Sequence, residues 1–212
     1  MFDVKNKNAF LMLIIGKRNK GKSSLLIKML LHKKLLRDKF DNVYLINPTF
    51  EEDQKYHCVE FTDVITEYNT ETIQEIKNKC IDELNECRKK NEPEKQTLII
   101  FDDCIAHGSK SNNLDDILNE LAFNSRHFNI SVVILSQYYK GVSRAVRTQS
   151  DYVICFQNKN KNEQECLYYE FGTGTKKDFL NFLDVVYNDK FDFIMIDNKN
   201  DRILKNFNPI II

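Results

Sequence analysis

Eight consecutive residues, Gly16-Lys17-Arg18-Asn19-Lys20-Gly21-Lys22-Ser23, read G-x-x-x-x-G-K-S. Two glycines at this spacing permit backbone angles and a close approach that side chains would block. The intervening N–H groups, with the start of a following helix, make a concave cradle for anionic phosphate. Lys22 is placed to reach β- and γ-phosphates. The Ser23 hydroxyl is placed to ligate the Mg²⁺ that accompanies them, with Ser24 opening the helix behind it. These types in this order point to a nucleoside triphosphate site, with ATP and Mg²⁺ as the expected cofactors.

A phosphate loop needs a carboxylate for the metal shell and a group to handle the attacking water. Asp102 and Asp103 directly follow the apolar run Thr97-Leu-Ile-Ile-Phe101. Asp102 is assigned to Mg²⁺ and Asp103 to general-base work. Ser136-Gln137 end another apolar run, Ile130 to Leu135, and Gln137 is a candidate sensor of the terminal phosphate or the lytic water. The bland alternatives are a turn or helix cap for the acids and a satisfied strand end for the glutamine. Transition-state charge also calls for a cation, and Arg126, Arg144 and Arg147 are the arginines nearest that strand in sequence. Arg126 precedes the strand, at the edge opposite the crevice, so it suits action across a subunit boundary better than action on its own nucleotide. A surface ion pair is the ordinary role of each.

The elements that must hold these residues alternate. Phe10 to Ile15 is a continuous apolar run, as in a strand buried on both faces. Ser24 to Leu36 has a helical apolar period. Further strands are expected at 42–46, 97–101, 130–135 and 152–156, with an irregular stretch from Asn47 to about Asn69. Helices are expected at 70–90, 114–124, 161–171 and 176–187, and a terminal hairpin from Phe191–Ile196 and Arg202–Phe207. Strands alternating with helices predict a three-layer α/β fold with a mainly parallel central sheet. In such sheets the ligand crevice lies beyond the C-terminal strand ends, where the loop, the acid pair and the glutamine all fall. With no repeat or linker, residues 1–212 are expected to form a single domain.

Composition narrows the class further. The chain is 42% hydrophobic and 29% charged, with no apolar run approaching a membrane span and no signal-peptide layout. Its six cysteines are scattered without a C-x-x-C pair, which argues against a zinc site or disulfide scaffold and for a reducing interior. Net charge is zero, yet residues 1–40 carry eleven Lys/Arg against only Asp3 and Asp38. That basic quarter could meet nucleic acid, or Lys28, Lys33, Lys34, Arg37 and Lys39 are simply the wet face of the first helix.

Taken together, GKRNKGKSS (16–24), YLINPTF (44–50), LIIFDD (98–103), SRHFNISVVILSQ (125–137) and FDFIMID (191–197) resemble the poxvirus-type viral DNA-packaging ATPases of the FtsK–HerA superfamily. The resemblance covers nearly the whole chain. It implies a RecA-like ATPase core in a homo-oligomeric ring, pentamer or hexamer, that pumps double-stranded DNA into a preformed capsid. A capsid vertex or portal protein is the implied partner, and the host-cell cytoplasm, viral factory or virion the implied location. Lys22 and Ser23 match the phosphate-loop positions, Asp102 the metal acid, Gln137 the sensor and Arg126 the finger serving a neighbouring subunit. Asp103 stands where many superfamily members carry Glu. DNA contact would fall to pore-facing loops and the basic N-terminal region.

Three rivals have different signatures. Asn198-Lys-Asn-Asp201 matches the guanine-reading N-K-x-D pattern, but no D-x-x-G follows Asp102 or Asp103, since 105 and 106 are Ile and Ala; a hairpin turn accounts for it. A small P-loop kinase of nucleotides or metabolites would need an arginine-bearing lid. A non-catalytic ATP-binding DNA or capsid assembly factor would need Asp103 to be idle.

Overall fold

Residues whose side chains are apolar on both faces of a strand must be covered on both faces, and the central strands here are. The computed structural model describes residues 9–52, 54–67, 69–104 and 114–210. Strand β1 (Leu11–Ile15) is buried at every position. It is followed by α1 (Lys22–Leu31), β2 (Asn42–Ile46), a 3-10 turn (Gln54–Cys58), β3 (Asp63–Ile65), α2 (Thr70–Lys90) and β4 (Thr97–Phe101). Then come α3 (Leu114–Asn124), a second 3-10 turn (Ser125–Phe128), β5 (Ile130–Ser136), α4 (Arg144–Gln149) and β6 (Tyr152–Phe156). Helices α5 (Lys161–Phe171) and α6 (Lys176–Val186) precede β7 (Phe193–Asp197), β8 (Arg202–Lys205) and β9 (Asn208–Pro209).

The strands form one sheet in the order β3-β2-β4-β5-β1-β6-β7-β8-β9. The first six in that order run parallel, and β7, β8 and β9 attach antiparallel as the terminal hairpin. Alternate residues of each strand feed two cores. Leu11, Leu13, Ile99 and Val132 pack with Ile73 of α2, Leu118 of α3 and Leu183 of α6. Met12, Ile14, Ile100 and Val133 pack on the opposite face with Leu26 and Met29 of α1 and with Tyr56. The expected three-layer α/β arrangement is the observed one.

Local chemistry explains most boundaries. Helix α2 starts where the Asn69 side chain accepts the Thr72 N–H, and ends at Asn91 in the left-handed region (φ 56°). Helix α1 is shorter than its apolar period predicts. The chain leaves the helix at His32 and doubles back, and the Leu36 N–H donates to Met29 O at 3.0 Å. Leu36 is thereby buried without being helical, which counterfeits one more turn of periodicity. Lys28, Lys33, Lys34 and Arg37 are exposed on that helix and the turn after it. The rest of the basic N-terminal region, residues 1–8, lies outside the described residues, as do 105 and 106.

Strand β7 begins at Phe193, not at the expected Phe191, because Asp192 organises a turn ahead of it. Its Oδ2 accepts the N–H groups of Asn188 (3.0 Å) and Asp189 (2.9 Å). The stretch expected to be irregular contains the 3-10 turn and β3, and α4 is a helix the pattern did not announce.

Candidate nucleotide site

The topology puts the chemistry on one rim. Strand β5 lies between β1 and β4, so the loop leaving β1, the acids leaving β4 and the glutamine leaving β5 emerge side by side. The phosphate loop is tied to its neighbour directly: the Gly16 N–H donates to Ser136 O at 3.0 Å. Its two glycines do different work. Gly21 has φ 98° and caps α1, a conformation that disfavours any side chain. Gly16 is needed for packing, since a Cβ there would stand 3.0 Å from Phe156 Cβ. Asn19, also left-handed at φ 60°, turns the loop between them.

Lys17, Arg18 and Asn19 are exposed on the loop, and Lys20 Nζ donates to Gln157 Oε1 at 3.5 Å. Lys22 is buried, only 8% exposed, at the first turn of α1. Burial pulls its ammonium pKa below the usual lysine value, against the opposing pull of Asp103 and Asp102. A lysine so placed gains by meeting further negative charge. An open cleft of about 680 Å³ runs over the loop, lined among others by Lys22, Ser23, Ser24, Lys55, Asp103 and Phe191.

The acid end of the site is built from three groups. Ser23 Oγ donates to Asp102 Oδ2 at 2.9 Å, and the Tyr56 hydroxyl donates to the same oxygen at 2.7 Å. Asp102 is 4% exposed. Burial pushes its carboxyl above the usual aspartate range, with the Tyr56 and Ser23 hydroxyls and Lys22 pulling the other way. A buried carboxylate and an adjacent serine hydroxyl at a phosphate loop are hard oxygen donors of the kind Mg²⁺ takes, and the donor set fits that ion. Asp103 is exposed and left-handed (φ 53°), and it lines the cleft. Gln137 Nε2 lies 3.5 Å from Asp103 Oδ1. Lys22, Ser23, Asp102, Asp103 and Gln137 are therefore brought together as expected.

Three arginines are not. Arg126 sits at the opposite edge of the sheet, where its Nη2 donates to Gln149 O (2.6 Å) and pairs with Asp151 Oδ2 (3.1 Å). Arg147 is committed to Glu170 and to Val142 O, with its guanidinium 5.2 Å from the Tyr139 ring centroid. Arg144 is exposed at the start of α4. The N-K-x-D stretch is likewise at the far edge: Asn198 Nδ2 donates to Ser150 O (2.7 Å) and Lys199 pairs with Asp151 (3.6 Å). It is a hairpin turn remote from the loop, which removes the guanine-reading alternative.

The family model of the poxvirus A32 protein matches residues 2–200. The chain belongs to the poxvirus A32 protein family. No curated protein matches this A32-family chain in sequence. Among solved structures it is similar to the genome packaging NTPase B204 of Sulfolobus turreted icosahedral virus 2 in complex with ATP-γS. That match has TM-score 0.64 at 14% identity and covers 96% of this chain and 98% of that one. It is also similar to the pCW3 conjugation coupling protein TcpA with ATP-γS (TM-score 0.61, 16% identity, 89% and 57% covered). The cytoplasmic domain of the Thermomonospora curvata type VII secretion ATPase EccC gives TM-score 0.63 at 14% identity, with 92% and 25% covered. These likenesses establish the fold of the A32-family chain as that of P-loop ATPases.

Two features of the site escape the sequence patterns. Tyr56 lies in a stretch without periodicity, so nothing marks it as the second donor to Asp102. Phe191 reads as the first residue of a strand, although it stands outside the sheet beside the loop. No helix among the described residues is long and apolar enough to cross a membrane.

Proposed function

We propose that this chain is the ATP-hydrolysing motor that packages viral double-stranded DNA into capsids, working as a homo-oligomeric ring. The observation that carries the proposal is the convergence of Ser23 and Tyr56 on Asp102, with Lys22 and Asp103 lining one cleft and Gln137 bonded to Asp103. Membership in the A32 family and likeness to a genome packaging NTPase support the substrate class.

In this reading the loop N–H groups and Lys22 hold the triphosphate. Ser23 and Asp102 hold Mg²⁺, which when bound neutralises charge building on the phosphoryl oxygens. Asp103 orients and deprotonates water in line with the terminal phosphate. Gln137, bonded to Asp103, couples the presence of that phosphate to the base. Arg126, at the far edge of its own sheet, serves the nucleotide of a neighbouring subunit. DNA meets pore-facing loops and the basic N-terminal region, and a capsid vertex or portal protein receives the ring. The 1–212 chain acts as one ATPase unit.

The test is ATP turnover by the assembled protein with and without duplex DNA, alongside Lys22→Ala. Stimulation by DNA, lost in the variant, is expected. Turnover indifferent to DNA, or phosphate passed to a small acceptor, would reject the motor.

A further inference from the structure

The cleft over the phosphate loop has two ends of different chemistry. On one side of β1 in the sheet order lie β5 and β4, which deliver Gln137, Asp102 and Asp103. On the other side lie β6 and β7, and the turn entering β7 delivers Lys190 and Phe191 to the cleft lining. A triphosphate with its terminal phosphate toward the acids leaves the Lys190–Phe191 end of the cleft open to its ribose and base.

Phe191 is what stands there. The residue is 59% exposed, a large apolar ring left out of both cores. Its Cδ1 lies 3.3 Å from where a Cβ on Gly21 would sit, so the ring borders the phosphate loop itself. Lys190 Nζ is 5.2 Å from the ring centroid, a cation beside the aromatic face. The turn is firmly held. Asp192 Oδ2 accepts the Asn188 and Asp189 amides, and its Oδ1 accepts Asn206 Nδ2 at 2.7 Å. Lys205 Nζ adds an ion pair to Asp192 at 3.0 Å. An exposed ring on a rigid turn costs little conformational entropy to stack against.

We propose that Phe191 is the stacking platform for the nucleobase, with Lys190 at its edge, so that the base is held by its face and not by its hydrogen-bonding pattern. The proposal rests on the nucleotide-site reading above. It makes Phe191 a specificity-determining residue that favours purines, with their larger stacking area, over pyrimidines. The competing role is mechanical: Phe191 borders Gly21 and merely shapes the loop.

Binding of two Mg²⁺-loaded ligands to the full chain separates these roles. One ligand is ATP; the other is ribose 5-triphosphate, which keeps sugar and phosphates but has no base. Phe191→Ala is expected to weaken ATP about tenfold, in line with aromatic stacking on a single base. Ribose 5-triphosphate is expected to bind that variant as it binds wild type. Phe191→Tyr should retain ATP affinity, and Phe191→Leu, which keeps apolar bulk without the ring, should fall with Phe191→Ala. Equal losses for both ligands would make Phe191 a loop support and overturn the proposal, as would unchanged ATP affinity in Phe191→Ala. Lys22→Ala should weaken both ligands. Undiminished binding of both in that variant would instead sink the nucleotide site itself, and the two failures are thereby told apart.

Discussion

Tyr56 donates its hydroxyl to Asp102 Oδ2 over 2.7 Å, at the same oxygen that accepts Ser23 Oγ at 2.9 Å. The tyrosine is wholly buried and comes from the 3-10 turn after β2, while the serine comes from α1. Two elements on either side of the acid thus fix one carboxylate oxygen. A buried carboxylate is costly without such donors, because it has given up water. In the proposed mechanism Tyr56 is a positioning residue: its hydroxyl favours the charged form of Asp102 and fixes the carboxylate that would hold the metal.

Tyr56→Phe should therefore raise the Asp102 pKa beyond its already elevated position. In the proposed mechanism the ionised form holds Mg²⁺, so the acid limb of the pH–rate profile should move to higher pH. Apparent Mg²⁺ affinity at neutral pH should fall by about tenfold, the scale of one hydrogen bond to a charged group. An acid limb that stays in place would separate Tyr56 from the ionisation that governs turnover.

Asp103→Asn keeps the shape of the loop and the contact with Gln137 while removing the proton acceptor. ATP binding should persist and hydrolysis should slow by about 100-fold or more, the usual contribution of a positioned base. Nucleotide affinity measured calorimetrically and single-turnover phosphate release give the two readouts. Hydrolysis near the wild-type rate would assign the base elsewhere.

How far the residues announced this arrangement depends on how local their signals are. The G-x-x-x-x-G-K-S run, the acids at the end of β4 and the glutamine at the end of β5 sit within or beside their own strands. Sequence order and the crevice rule therefore suffice to assemble them. Helix α2 was legible to its ends, since its cap residues Asn69 and Asn91 lie at its own boundaries. Tyr56 was not, because its role is a contact across 46 positions with no periodic pattern around it. Leu36 misled by being buried through a reversal of the chain. Phe191 misled by neighbouring a strand: its exposure depends on Asp192 gathering amides into a turn, which no hydropathy pattern encodes.

Asp192 also gives the turn before β7 a pH signature. Burial pushes its carboxyl up, but the Asp189 amide, Asn206 and Lys205 outweigh this and hold its pKa at about 2. A folded value below the unfolded one of roughly 3.9 means stability that is fully present above the unfolded value. That stability disappears as pH falls through the folded value. Asp192→Asn should cost about 1 kcal/mol at neutral pH, discounted because Asp192 is buried but its partner Lys205 is 30% exposed, so water screens the ion pair. Denaturant midpoints of the two proteins should converge between about pH 4 and pH 2. A difference that persists undiminished at pH 2 would mean that the loss comes from packing and not from the charge.

Arg126 poses the question of assembly. Its guanidinium pairs with Asp151, whose Oδ2 also accepts the Leu11 N–H at 2.8 Å, so within one subunit it braces the starts of β1 and β6. It stands at the edge of the sheet opposite its own phosphate loop, and no conformational adjustment of a side chain spans that distance. If it acts on phosphate, it acts on a neighbour's. Arg126→Ala subunits should then bind ATP normally, yet poison mixed assemblies more than in proportion to their fraction, because each defective subunit silences a site it does not contain. Arg126→Lys controls for the brace, since it preserves a cation at Asp151 while losing the planar fork that phosphate favours. Turnover plotted against the mutant fraction should bow below the diagonal for both variants. A straight line for both would restrict Arg126 to bracing the strand starts.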